Sequence, residues 1–219
     1  MAARGKPTET GIARRRRSAK ADGGPAYDAR RDEIIKAAGR VFLVKGFEAT
    51  SFRDIAETIG VDRASLYYYF ADKRELYQTA TGAAVVRNTE AAERVASSDA
   101  PPADKVRQIF TLLLESYTST DYPYVYIFLQ EDIRRFSADD KWARTVHAIS
   151  DRFEAAVTKV FADGMQAGVF SSQVPPVILT KALLGMVNWT YRWYRQDGDL
   201  SAEQVAELFS HIILRGLND

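Results

Sequence analysis

Cysteine is absent from all 219 residues, which excludes disulfide frameworks, thiolate zinc sites and cysteine nucleophiles and fits a reducing cytosol. Histidine is nearly as scarce. His147 and His211 are the two imidazoles available, they stand far apart in the chain, and neither has a partner at the His-x-x-x-His spacing with which one helix face grips zinc. Each reads as a surface or core-edge histidine, and no metal or other cofactor is expected. No apolar run reaches the roughly 18 residues that a bilayer core demands, and the basic start of the chain is not followed by the apolar stretch of a secretory signal. The expectation is a soluble, cytoplasmic protein without membrane contact. Enzymatic signatures are missing too: there is no Gly-x-Ser-x-Gly elbow, no phosphate-binding glycine loop, and no histidine set with a serine and an acid. The 29 aspartates and glutamates read as solvated helix faces, so a small helical hydrolase or transferase is the disfavoured alternative.

What is present is unevenly placed charge. The formal net charge is +1, yet up to Arg31 nine basic residues (Arg4, Lys6, Arg14, Arg15, Arg16, Arg17, Lys20, Arg30, Arg31) face only Glu9, Asp22 and Asp28. A basic arm therefore precedes a near-neutral body, an electrostatic footprint for polyanions that acts through phosphate neutralisation or a minor groove, or else a solvated tail. Residues 1–27 hold almost no large apolar side chains, cannot offset the entropy of ordering, and are expected to be unstructured.

From Asp28 the period changes. Ile34, Ala37, Ala38, Val41 and Phe42 recur at helical spacing, and Lys45-Gly46-Phe47 supplies a cationic last turn, a left-handed stop and an apolar residue beyond it. Ser51-Phe52-Arg53-Asp54 is a capping box for a short helix carrying Ile55, Ala56 and Ile59, which Gly60 closes. Asp62 caps a third helix from Arg63 to Phe70, and Asp72-Lys73-Arg74-Glu75 caps a fourth reaching about Ser97. Further on, Asp99-Ala100-Pro101-Pro102 starts a helix, an aromatic segment runs from Asp121 to Phe136, and a long helix follows from Asp139 to Ala167. Pro175-Pro176 opens the next through about Arg195, and Ser201 to Gln204 caps a last one to Arg215. Strand alternation and internal repeats are lacking, so the fold class is all-α: a three-helix DNA-binding domain over 28–75 and a helical bundle over 76–219.

Two short helices joined by a tight turn at Gly60-Val61 have the layout of a helix-turn-helix. Ile55, Ala56, Ile59, Val61, Leu66 and Phe70 can converge with Val41 and Phe42 on one small core, which leaves the opposite face of Arg63 to Tyr69 free for a major groove. Ala56 is small where the second helix crosses the third.

Asp54-Ile55-Ala56, Gly60-Val61, Leu66-Tyr67-x-x-Phe70, Lys73 and Leu76 agree in order and spacing with the DNA-binding signature of the TetR family of bacterial transcriptional regulators, which residues 30–78 closely resemble. The resemblance implies that the third helix reads bases. Arg63 can donate in bidentate fashion to guanine, and Ser65 and the Ala64 methyl permit close approach to base edges. Ser51, Tyr68, Tyr69 and Lys73 are placed to meet phosphates. Tyr67 reads instead as packing between helices with its hydroxyl at the rim. Asp62 departs from the family's usual neutral serine or threonine. A carboxylate is repulsive beside phosphates, so it is assigned to capping.

Beyond about residue 80 composition carries more weight. Aromatics are abundant, and although most read individually as core or interface, together with Met165, Met186 and a few polar groups they suit an apolar pocket between helices. Leu184 to Arg195 is similar to the corresponding region of TetR-type repressors of fatty-acid and sterol catabolism, which implies an acyl-CoA effector. Tyr124, Phe128, Met186, Asn188, Trp189 and Arg192 are the expected ligand-binding residues, with Arg134 as a further polar contact. Val177, Leu183, Leu184, Val205, Leu208, Phe209, Ile212 and Ile213 exceed one buried stripe, so the last two helices are expected to pair across a two-fold axis into a homodimer that recognises a palindromic operator. The resulting expectation is a repressor released from double-stranded operator DNA by a small hydrophobic ligand. An activator, a regulator answering to another aromatic ligand, and a nucleic-acid binder working through Arg14 to Arg17 alone remain open.

Overall fold

A computed structural model describes residues 23–118 and 141–217. Among these residues the chain is helical, without strands: α1 Pro25–Ala49, α2 Phe52–Thr58, α3 Arg63–Tyr69, α4 Lys73–Ser97, α5 Pro102–Thr118, α6 Lys141–Gln166, α7 Pro176–Trp189 and α8 Ala202–Gly216, with a single 3₁₀ turn, Thr190–Arg192, after α7. Chain contacts divide it into Met1–Ala80 and Thr81–Asp219. The division falls inside α4, five residues beyond the expected boundary at 75. The basic arm up to residue 22 and the aromatic segment lie outside the described residues.

In the first unit the punctuation works as the sequence implies. Gly46 at φ +74° and Gly60 at φ +67° take the left-handed conformation that a side chain resists, so Gly46 kinks α1 before its last turn and Gly60 closes the α2–α3 turn. Ser51 accepts the Asp54 N–H while Asp54 accepts the Ser51 N–H, a reciprocal cap on α2. Glu75 N–H donates to Asp72 Oδ1 at 2.8 Å, and the Glu75 carboxylate reaches the Ala71 N–H at 2.6 Å. Ile34, Ile55, Leu66, Phe70 and Leu76 are fully buried beside Val41 and Phe42, each burial contributing about 1.5–3 kcal/mol. Ile59 and Val61 are only half-buried, because they sit at the turn itself. The start of α1 corrects an expectation: the helix begins at Pro25 rather than Asp28. Proline at the first helical position has its φ preset and no N–H to leave unpaired.

The second unit buries one large core. Phe110, Leu113 and Leu114 of α5, Phe153, Val157 and Phe161 of α6, Leu183 and Val187 of α7, and Val205 and Leu217 at and after α8 belong to it. α8 lies along α5, and α7 along α6. Arg152 grips Glu93 in bidentate fashion at 2.9 and 2.7 Å, tying α6 to α4. α7 ends earlier than the expected Arg195. The Thr190 hydroxyl bonds back to the Met186 carbonyl at 3.0 Å, and Trp193 and Tyr194 both direct their N–H groups to the Thr190 carbonyl. This tightens the chain into a 3₁₀ turn where β-branched and aromatic residues crowd the helix.

Candidate nucleic-acid interface

α3 owes its start to Asp62, whose Oδ1 accepts the Ser65 N–H and Oδ2 the Ser65 hydroxyl, both at 2.9 Å. Those two bonds hold the Asp62 carboxyl below the usual carboxylate range. Lys45, then the Ser51 hydroxyl and N–H, do the same for Asp54, more strongly. A carboxylate whose pKa is lower folded than unfolded stabilises fully above its unfolded value near 3.9, and that contribution is lost as pH falls through the folded value. Asp62→Ala is therefore expected to lower the melting temperature at pH 7, with the difference from the native chain shrinking as pH drops below about 4. A gain in DNA affinity with an unchanged melting temperature would contradict the capping role.

With its core face anchored by Leu66, α3 exposes the expected reading side. Arg63 and Ala64 are exposed, Tyr68 is 41% exposed, and Ser65 and Tyr69 are half-buried. The Ser65 hydroxyl is already committed to Asp62, so its proton is spent locally and only its acceptor positions remain for a base edge. Tyr67 packs as expected, its ring 4.9 Å from Phe52 of α2. Its hydroxyl accepts the Arg63 Nη2–H at 2.7 Å, and the guanidinium lies 5.5 Å from the same ring. Arg63 thus lies along its own helix.

Lys73 carries a structural duty that its sequence context did not reveal. Its ammonium donates to the Phe47 and Glu48 carbonyls at 2.7 and 3.2 Å and lies 4.3 Å from the centre of the Phe47 ring. Two of its three donors close the end of α1, which needs them because Lys45 is occupied by Asp54. Ser51 stays exposed at the start of α2. Ser51, Arg53, Arg63 and Lys73 come together with Thr50, Phe52, Tyr67 and Asp72 around a cleft of about 480 Å³. Arg53 is paired with Glu57 at 2.8 Å; with Arg63, Lys73, the flanking hydroxyls and the start of α2, the cleft still suits a phosphate of a DNA backbone. Arg53 entered no expectation, although its position beside Ser51 in the cap of α2 was a legible signal.

The expected ligand residues of the second unit are not brought together by the described chain. Tyr124, Phe128 and Arg134 lie outside it. Met186 is half-buried against the large core. Asn188 is half-buried. Trp189 is 59% exposed, with the Arg192 guanidinium 4.4 Å over its ring, and Arg192 is exposed as well. Sequence reasoning missed a polar stripe on α4. Thr81, Asn88 and Thr89 are buried at helical spacing on one face; Asn88 donates to the Ser116 hydroxyl at 2.9 Å, and the Thr89 hydroxyl points to the Ile149 carbonyl at 3.4 Å. Ala84, Val85, Val146 and the half-buried Trp142 make a small apolar cluster on the same helices, α4 and α6. Polar residues recurring at i, i+7 and i+8 inside a helix were the available sign.

Comparison with known proteins follows the same division. The sequence model described as "Bacterial regulatory proteins, tetR family" matches residues 34–80, and that described as "Tetracyclin repressor-like, C-terminal domain" matches residues 99–217. The HTH-type transcriptional repressor KstR2 of Mycobacterium tuberculosis is 25% identical over 195 residues, 87% of this chain and 94% of its own. PfmR, a TetR family transcriptional regulator from Thermus thermophilus, is 30% identical, with a TM-score of 0.74 covering 85% of this chain and 99% of that one. AibR in complex with isovaleryl coenzyme A and operator DNA shares the fold at 23% identity, with a TM-score of 0.72 over 84% of this chain and 97% of that one. With a helix-turn-helix in its first unit and a matching helical domain in its second, the chain belongs to the TetR family of bacterial transcriptional regulators, DNA-binding proteins rather than enzymes.

Proposed function

We propose that the chain is a ligand-responsive repressor that binds a palindromic operator as a homodimer and leaves it when a hydrophobic acyl thioester enters the second unit. The observation that carries the DNA half of this reading is the exposed face of α3 standing beside the cation-lined cleft. Arg63, Ala64 and Ser65 serve base edges, while Ser51, Tyr68, Tyr69 and the remaining donor of Lys73 serve phosphates.

The dimer is supported by apolar surface that a lone subunit leaves in water. Val177 and Ile178 on α7 and Leu208 and Ile212 on α8 are exposed, whereas Leu183, Leu184, Val205 and Ile213 of the expected set are buried in the subunit core. The exposed half suits an isologous four-helix contact.

The effector class is supported by the names of two relatives: KstR2, called a ketosteroid regulator, and AibR, which holds isovaleryl coenzyme A in the same fold. Asn88, Thr89 and Ser116 supply polar groups that an acyl thioester would share, and Trp142 and Val146 supply apolar wall. Because α4 contributes residues to both units, a ligand that displaces it opposes operator binding through a coupling typically on the order of 1–3 kcal/mol. Reciprocal titration tests this. Affinity for fatty-acyl and sterol-derived acyl-CoA should fall about 5- to 150-fold when operator is present, and operator affinity by the same factor when ligand is present. Asn88→Leu should weaken ligand alone. Equal ligand affinity with and without operator would overturn the switch; binding of unrelated aromatics only would overturn the acyl-CoA assignment.

A further inference from the structure

The first two turns of α1 meet the end of α3 through aromatic rings that carry polar groups at their rims. Tyr27 stacks on Tyr69 with ring centroids 5.0 Å apart at 28°, and meets Tyr68 edge-on at 6.0 Å. Tyr68 and Tyr69 are themselves edge-to-face at 5.2 Å. One turn further along α1, Arg31 lays its guanidinium 5.0 Å from the centre of the Phe70 ring, immediately after α3. Positions 27 and 31 share one face of α1, so three phenols and a guanidinium gather in one place. Among the described residues the three hydroxyls make no hydrogen bond and Arg31 makes no ion pair. Tyr68 is 41% exposed, and Tyr27, Tyr69 and Arg31 are half-buried, so water reaches all four. Burial raises the pKa of the Tyr27 phenol while Arg31 opposes the rise, and the hydroxyl keeps its proton as a donor. Ring packing accounts for the aromatic faces. It does not account for three hydroxyls and a cation collected without an acceptor.

The place of this cluster on α3 indicates what it faces. An α-helix turns by about 100° per residue. Arg63 and Tyr67, one turn apart, share the flank of α3 that borders the cleft with Ser51 and Lys73. Tyr69 stands about 200° round the helix from Tyr67, with Ala64, Tyr68 and Ser65 between them. The exposed side of α3 is therefore bounded by the cleft on one flank and by the phenols with Arg31 on the other. The major groove is about 12 Å wide, and a helix with its side chains is about 10–12 Å across. A helix seated there brings its two flanks against the phosphates of opposite strands, and tyrosine hydroxyls and arginine are donors that such phosphates accept.

We propose that Tyr27 and Arg31 of α1 form, with Tyr68 and Tyr69, a second phosphate site, which binds the DNA backbone on the groove wall opposite the one that the cleft faces. The proposal rests on α3 being the reading helix. Arg31 supplies the charge and Tyr27 a neutral donor, while the stack of Tyr27 on Tyr69 holds both phenols in place. One phosphate site leaves a helix free to roll in the groove. Two sites on opposite flanks fix its roll and depth, so α1 serves the register in which α3 meets the bases.

The test uses the full chain, with Tyr27→Phe, Arg31→Met and Arg31→Lys. Each is measured for melting temperature, for operator affinity over a range of salt, and on operators carrying one uncharged methylphosphonate at each backbone position of a half-site in turn. Arg31→Met keeps a side chain to pack on Phe70 but removes the charge, so it should lower the slope of log affinity against log salt by about 0.9 per half-site. Arg31→Lys should restore that slope. One methylphosphonate position should weaken the native chain and have no effect on Arg31→Met. Tyr27→Phe keeps the stack on Tyr69 and should weaken binding about 2- to 12-fold, as one lost hydrogen bond does, by the same factor whatever the bases in the half-site. It disturbs packing least, and carries the test if Arg31→Met melts too low to assay. Unchanged affinity in Tyr27→Phe, a loss confined to particular bases, or a salt slope and methylphosphonate pattern in Arg31→Met that match the native chain would each overturn the proposal. Arg63→Ala, run alongside, separates the two readings. If it leaves half-site preference intact, the assignment of α3 has failed; if it relaxes that preference while Tyr27→Phe and Arg31→Met bind as the native chain does, only the second phosphate site has.

Discussion

Arg63→Ala is expected to weaken operator binding by about 1–3 kcal/mol and to relax preference at one base in each half-site, the signature of a lost bidentate contact to guanine. The structure shows the interaction that competes with it. Before binding, the guanidinium spends one N–H on the Tyr67 hydroxyl at 2.7 Å at an exposed position. At that exposed position water competes for the single bond, and the paired donation to O6 and N7 that replaces it makes two bonds in place of one. Tyr67→Phe removes the parking site while leaving the ring packed on Phe52, so it should change operator affinity little. Electrophoretic mobility or fluorescence anisotropy on operators varied one base at a time would show both results. Uniform weakening across all bases would mean that Arg63 neutralises phosphate instead.

Charging the exposed apolar face is expected to have a larger effect. Leu208 and Ile212, on adjacent turns of α8, are 51% and 59% exposed in the subunit, so Leu208→Glu with Ile212→Glu leaves the core around Val205, Ile213 and Leu217 intact. If these side chains form the two-fold contact, the double variant becomes monomeric and loses the second half-site. A palindrome then offers no avidity, and affinity should drop about 10²–10⁴-fold. Sedimentation and operator binding on the same samples would show the two losses together. A dimeric variant would move the interface elsewhere, and a monomeric one with undiminished affinity would remove the need for paired half-sites.

Legibility in the sequence followed the reach of the forces involved. Caps and stops are local, needing only a side chain and a backbone group a few residues away, so Ser51 with Asp54, Asp62 with Ser65, Ser201 with Gln204, and the left-handed Gly46 and Gly60 could all be read directly. The exposed face of α3 was legible because Leu66 and Phe70 fix its opposite side. Interactions across long sequence separations were hidden. Nothing near Lys73 says that its ammonium will close a helix ending at Ala49, 24 positions earlier, or that Tyr27 will stack on Tyr69. The surroundings of the aromatic residues in the second unit were the least legible. An aromatic stripe looks alike whether it faces a pocket, a core or a partner, and Trp189, the last residue of α7, is 59% exposed. The reverse pattern is the sharper sign of a polar-lined site: the buried Thr81, Asn88 and Thr89 on a stretch of α4, from Ala80 to Ala96, whose other buried residues are alanine and valine.

That the chain recognises DNA as a symmetric pair of reading helices is tested most directly by sequencing the fragments the full chain retains from a random double-stranded pool. The expected result is one enriched motif with two-fold symmetry, its half-site centres about 34–36 Å apart or a multiple of that spacing, as two identical major-groove helices require. Enrichment of a single unpaired half-site, or a retained pool no different from the input, would contradict it.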